Sequence, residues 1–305
     1  MPSRRSTPFL LAVMGATATG KTALAEAVAR TFDAQLINAD AFQVYRGFDI
    51  GTAKPADRSK YRLLDIRDAR ESFGVGEYVL LAQAELRQLY DEGRSAVLVG
   101  GSGLYTRALM EEYSSLRPEP DPRLRAELRA RLSQEGLSAL AEELRRRDPA
   151  RARDTDLSNP VRVLRALEHV IERPAPLPVE LPPLRKLKVV LDLEPEELIW
   201  RIDHRIGQMV QNGWVDEVAR LRREGIGPDA PAARAIGYRG MFEHVAGNCT
   251  LEEAIQTAAV ETRQYAKRQR TWLRSEPNVQ MILDAAASPK GLEQAVASLL
   301  DDHVG

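Results

Sequence analysis

The segment GATATGKT, residues 15 to 22, fits the pattern G-x-x-x-x-G-K-S/T and follows directly on the apolar run FLLAVM. No other feature constrains the fold as much. Two glycines, Gly15 and Gly20, let backbone amides turn inward, and a helix starting near Lys21 offers its positive end to an anion. Lys21 adds a charge and the Thr22 hydroxyl can ligate Mg2+. The eight residues Gly15, Ala16, Thr17, Ala18, Thr19, Gly20, Lys21 and Thr22 are therefore a phosphate grip between a strand and the helical pattern TALAEAVAR. One rival reading exists: Arg4 and Arg5 before FLLAVMGA, with Ala16-Thr17-Ala18, imitate a secretory signal and its cleavage site. Cleavage there would cut the loop in half, so a strand explains more of the same letters. Most owners of such a loop move the terminal phosphoryl of a nucleotide such as ATP, so a kinase or NTPase is the default.

A chain of 305 residues, 44% hydrophobic, can bury one large core or one core plus an insert. Its single cysteine, Cys249, excludes an internal disulfide framework and leaves no thiol cluster for zinc, which fits a reducing, cytoplasmic setting. No stretch approaches the roughly 18 apolar residues of a membrane span. Nothing in the letters asks for an oligomer, and a monomer is the default.

Apolar runs recur at 9–14, 35–39, 62–66, 95–100, 187–193 and 278–284, with helical patterns after several of them. Strands alternating with helices predict an α/β fold, here a P-loop NTPase-like doubly wound parallel sheet whose ligands sit at the carboxyl ends of its strands. From Pro118 to about Arg173 the alternation gives way to an arginine-rich, wholly helical pattern, and the proline-dense ERPAPLPVELPPLRK after it serves as a return linker. The expected division is a catalytic core at 1–117 and 179–305, with the C-terminal helices, and an inserted helical subdomain at 118–178.

The second strand ends in LINAD, which puts Asp40 at a strand's carboxyl end beside the phosphate loop, where a carboxylate serves as magnesium partner or general base. With ADAFQVYRGFDIGTAKP (39–55) and VGGSGLY (99–105), the loop resembles the tRNA dimethylallyltransferase family. SNPVRVLRALE (158–168), AIGYR (235–239) and TRQYAKRQRTWLR (262–274) match the same family in the same order. The resemblance spans nearly the whole chain.

It implies an enzyme that moves a dimethylallyl group from dimethylallyl diphosphate to N6 of the adenosine just 3′ of a tRNA anticodon, in tRNAs reading codons that begin with U. Asp40 would be the base or acceptor for the amine proton. Arg205, with Lys21 and Mg2+ at Thr22, would meet the departing diphosphate. Ser102 stands where the family usually has threonine, near the target base; it keeps the hydroxyl and drops a methyl. Ala41 stands where the family commonly has serine, so any hydroxyl role there is lost. Tyr61-Arg62 replaces a histidine of many relatives and excludes a required one.

The partner would be the anticodon stem-loop, with the target base splayed into a pocket. Family correspondence gives tRNA contacts to Asp40, Ala41, Phe42, Gln43, Ser102, Arg125, Arg162, Arg165 and the 234–239 segment with Arg234, Gly237, Tyr238 and Arg239. Val161 and Val163 permit only backbone or packing roles there, and Phe42, Tyr45 and Tyr238 could stack on bases or fill the core. Arg162 and Arg165 share a face opposite Leu164, Leu167 and Ile171. Arg263, Lys267 and Arg270, with Arg274, fall on one helical face, and Tyr265 and Trp272 share another with Gln269 between them. The alternative is a P-loop small-molecule kinase whose helical lid closes over ATP, which would leave the tRNA-family motifs near residues 160 and 265 unexplained.

Overall fold

The structure is a computed structural model that describes residues 7–113 and 116–302. Arg4 and Arg5, noted in the sequence, lie outside them. The chain divides into two compact units, Met1–Tyr113 with Val179–Gly305, and Ser114–Pro178.

The larger unit is built on a six-stranded sheet. Its strands are β1 (Phe9–Gly15), β2 (Gln35–Asn38), β3 (Tyr61–Arg62), β4 (Ala96–Val99), β5 (Arg185–Asp192) and β6 (Met281–Asp284), in the order β3-β2-β4-β1-β5-β6. All pairings are parallel. Every residue of β1 is buried, as a central strand covered on both faces requires. Helices α1 (Lys21–Thr31), α2 (Val75–Asp91) and α3 (Gly103–Met110) alternate with the first strands. The chain order continues in the helical insert with α4 (Pro122–Arg147), α5 (Pro149–Asp154) and α6 (Pro160–Glu172). Back in the larger unit come α7 (Pro195–Gln211), α8 (Trp214–Arg223), α9 (Tyr238–Val245), α10 (Leu251–Leu273) and α11 (Pro289–Asp302). The P-loop NTPase-like architecture expected from the sequence is present.

Two strands are shorter than their apolar runs. RLLDI pairs only at its start, because Leu63 and Asp65 turn into the left-handed region at φ 61° and 54°. There the Leu63 carbonyl accepts from Asn38 Nδ2 at 3.0 Å, and the Asp65 carboxylate pairs with Lys54 and Arg58. NVQMILD pairs only from Met281, after Asn278 at φ 55°.

The helical insert has its own core of Leu128, Leu140, Leu144, Val163 and Leu167. Each of its helices opens with proline in the first turn and an Asp or Asn cap: Asp121, Asp148 and Asn159 accept from the amides of Arg123, Arg151 and Val161. Such caps, with proline in the one turn that needs no N–H, set where each helix starts. Gly136, at φ 81°, breaks α4 in two. The segment from Arg173 to Leu184 holds no helix or strand, as its prolines dictate. No helix among the described residues is long and apolar enough to cross a membrane.

Candidate active site

The phosphate loop connects β1 to α1. Gly20 caps the helix at φ 88°, a conformation that costs glycine nothing, and no acidic residue stands in the first turn of α1. The helix therefore presents its amide end and its partial positive charge to the cavity in front of it. The loop closes on the Ala16 carbonyl, which accepts from Thr19 Oγ1 at 2.9 Å and from Lys21 Nζ at 2.7 Å. Burial, aided by the positive charge of Arg205 and opposed by Asp40, pushes the Lys21 ammonium down from 10.5 to about 7. This lysine is thus held ready for an anion that would restore its proton.

Asp40 follows β2 and is fixed by backbone donors: the Phe42 N–H donates to Oδ1 at 2.9 Å and the Gly101 N–H to Oδ2 at 3.3 Å. That proximity depends on Gly100, where a Cβ would sit 2.1 Å from the carbonyl carbon of Ala39. The Ala41 N–H donates to Ser102 Oγ at 2.9 Å. The Ser102 hydroxyl proton stays available for an incoming group.

Arg205 comes from α7, whose Leu198, Ile202 and Ile206 are buried. Its Nη1 donates to Thr17 Oγ1 at 3.3 Å, and burial lowers its pKa while Asp40 raises it. Lys21, Thr22, Asp40, Gly101, Arg205 and Gln269 line one cavity of about 570 Å³. A second cavity of about 330 Å³ shares Thr17, Asp40, Arg205 and Tyr265 with the first, and Phe42, Ile206, Trp214 and Ile236 give it apolar walls. One chamber is suited to a polyanion and its neighbour to a flat or hydrocarbon group, with Asp40 in the wall of both.

Among the described residues no cluster of three or more His, Cys, Asp and Glu could hold a metal ion by itself. The site fits a hard cation that keeps most of its waters and takes the rest of its oxygens from a bound phosphate group. Thr22, exposed at the start of α1, is a protein hydroxyl that could complete its shell.

Residues 43–276 match the family model described as IPP transferase, and residues 9–67 match Isopentenyl transferase. The chain belongs to the IPP transferase family. The tRNA dimethylallyltransferase of Thermomicrobium roseum is 38% identical over 89% of this chain and 85% of its own. That of Streptomyces avermitilis is 37% identical over 100% and 99%. The full-length tRNA isopentenylpyrophosphate transferase of Bacillus halodurans superposes with a TM-score of 0.72 at 35% identity, covering 97% of this chain and 96% of that one. A eukaryotic dimethylallyltransferase acting on tRNA shares the fold at a TM-score of 0.78 and 20% identity.

Within the transferase, the phosphate loop, Asp40 and Arg205 meet at one cavity. Ser102 lines a third cavity, of about 300 Å³, with Tyr265, Arg268 and Trp272. The remaining site residues fall in varied surroundings, and of the two uses left open for Tyr45 and Tyr238 the core is the one found. Tyr238 is 0% exposed, with its ring between Phe48 and Trp214 and its hydroxyl donating to Glu217 at 2.6 Å, so it cannot stack on a base. Tyr45 is also buried, and Gly237 is buried beside Trp214. Arg234 and Arg239 remain exposed.

On α10, Arg270 turns to Asp192, 2.9 Å away at the end of β5, and Arg263 pairs with Asp203 of α7 at 3.1 Å. Lys267 is exposed. In the insert, Arg125 pairs with Glu119 and Glu168, and Arg165 lies 3.6 and 3.5 Å from the same two. Arg162 is exposed, but Val163 is buried and Ile171 is 37% exposed, so α6 is rotated somewhat from the expected apolar face of Leu164, Leu167 and Ile171. The face of α10 that carries Tyr265 and Gln269 was noticed in the sequence but given no role. It is the one that reaches the cavity.

Proposed function

We propose that this enzyme transfers a dimethylallyl group from dimethylallyl diphosphate to N6 of the adenosine 3′-adjacent to the anticodon, in tRNAs reading codons that begin with U. One observation carries the reading: the phosphate grip and Asp40 line the same cavity, and Asp40 also faces a chamber with apolar walls. A kinase would share the first feature; the apolar chamber beside Asp40 gives room for the prenyl chain and the target base, and the family match favours that use.

The diphosphate lies in the amides of residues 15–22 against Lys21 and Arg205. Mg2+ would sit at Thr22 and, when bound, neutralises charge on the diphosphate oxygens. The adenine amine is a poor nucleophile because its lone pair is delocalised into the ring. Asp40 accepts its proton as the bond from N6 to the first prenyl carbon forms and the bond from that carbon to the diphosphate oxygen breaks. Lys21, Arg205 and the loop amides stabilise the charge that gathers on the leaving group. The Ser102 hydroxyl orients the base. Exposed Arg162, Arg234, Arg239 and Lys267, together with Ala41, Phe42 and Gln43, contact the anticodon stem-loop. The enzyme works as a cytoplasmic monomer.

The test incubates the protein and Mg2+ with unmodified tRNA and either dimethylallyl diphosphate or ATP. Mass gain on the tRNA with the first donor alone supports the reading. ATP consumption without alkylation would refute it in favour of phosphoryl transfer.

A further inference from the structure

Gln269 is 7% exposed, and both ends of its amide are engaged across the site. Oε1 accepts from the Thr17 N–H of the phosphate loop at 2.8 Å, and Nε2 donates to the Gly101 carbonyl at 2.8 Å. Gly101 is the residue whose N–H donates to Asp40. One side chain therefore joins the loop that grips the leaving group to the residue whose N–H orients Asp40. The two contacts have opposite polarity, and only an amide of this length supplies a donor and an acceptor at once.

We propose that Gln269 is a positioning residue that keeps the phosphate loop in register with Asp40, and that it acts on turnover rather than on the binding of either substrate. This rests on the reading of the loop as a diphosphate grip and of Asp40 as the base. Its neighbours make the role separable from a structural one. Helix α10 is anchored without Gln269: Arg270 is clamped on Asp192, and the Arg107 guanidinium packs 3.9 Å from the Trp272 ring centroid. The Gly101 carbonyl keeps a second donor in Tyr265 OH at 3.1 Å, and Thr17 keeps Arg205 on its hydroxyl. Loss of the amide would leave the helix in place and free the two loops to shift against each other. The amides of residues 18–22 and Lys21 would still bind diphosphate. A displacement of about 1 Å between reacting groups costs about 10²-fold in rate.

The experiment compares the parent with Gln269→Met and Gln269→Glu by single-turnover prenylation of tRNA, pyrophosphate affinity, tRNA affinity and melting temperature. In Gln269→Met the rate should fall about 10²-fold while both affinities stay within about threefold of the parent. Gln269→Glu keeps the length and the contact to Thr17 but sets a carboxylate against the Gly101 carbonyl. Its rate relative to the parent should recover as pH falls and the carboxyl regains a proton to donate. Lys21, Asp40, Arg205, Tyr265 and Arg268 surround the position in both proteins, so the ratio to the parent isolates residue 269.

A parental rate in both variants overturns the proposal. So does a rate loss matched by an equal loss of pyrophosphate binding, or a Gln269→Glu ratio that stays flat with pH. A parent that does not prenylate tRNA overturns the underlying reading, and this inference with it. A parent that does, equalled by its variants, overturns this inference alone.

Discussion

The Arg205 guanidinium donates to the Thr17 hydroxyl at 3.3 Å, so a helix far along the chain from the phosphate loop supplies a cation to it. With Lys21 donating to the Ala16 carbonyl, the loop is flanked by the Arg205 charge and a lysine donor before any substrate arrives. Charge arranged in advance costs no reorganisation as the leaving group departs. Arg205→Ala is expected to lower the single-turnover rate about 10²- to 10³-fold, the usual effect of removing one such donor. Steady-state and single-turnover rates with saturating tRNA check it; a loss below fivefold would remove Arg205 from the reaction.

Asp40→Asn keeps an acceptor for the Phe42 N–H but cannot take a proton. Turnover should fall about 10²- to 10⁴-fold, the range of general-base catalysis, with tRNA affinity unchanged. Filter binding beside single-turnover rates separates the two effects. A near-parental rate would leave Asp40 an orienting group only.

The lowered pKa of Lys21 gives a pH dependence with a definite sign. The free enzyme loses this proton near pH 7, whereas a bound diphosphate holds it on. Donor binding should therefore take up a proton above pH 7 and weaken as pH rises, by at most about tenfold per pH unit. Lys21→Met, weaker throughout, should lose that part of the slope, as calorimetry in buffers of different ionisation enthalpy can show. In the same window, from about 7 to 10.5, the unfolded chain holds the proton that the fold has lost, so Lys21 makes the unliganded fold more stable as pH rises.

Lys188 is a buried cation on β5, 2.6 Å from each of Glu111 and Glu276. Lys188→Met strands Glu276 with Arg107 as its remaining partner. The expected cost is about 3 kcal/mol, the lower end for breaking a buried pair, read as a lower urea midpoint. An unchanged midpoint would mean that methionine packs as well as the charges pair.

The sheet and the loop were legible in the sequence because their signals are local: apolar runs set β1, β2, β4 and β5, and glycine spacing set the phosphate grip. Asp40 was legible because a strand's carboxyl end beside that loop is a fixed place in such folds. Arg205 came from family resemblance alone, since nothing in RIDHRIGQM distinguishes it from a solvated helix arginine. The partners of the arginine stripe on α10 were not legible, because helical spacing tells which residues share a face, not what that face meets. Asp192 and Asp203, distant in sequence, claim Arg270 and Arg263. Tyr238 sits in a matched motif, but its burial depends on Trp214 and Phe48, which no local pattern connects to it.

The pairing of Arg125 and Arg165 with Glu119 and Glu168 has an ionic consequence for the helical insert. An arginine already neutralised by its own chain displaces few condensed cations from a polyanion, and counterion release is what makes nucleic-acid affinity steep in salt. If the insert binds tRNA as proposed, the logarithm of tRNA affinity should fall with the logarithm of salt concentration more gently than its arginine content suggests.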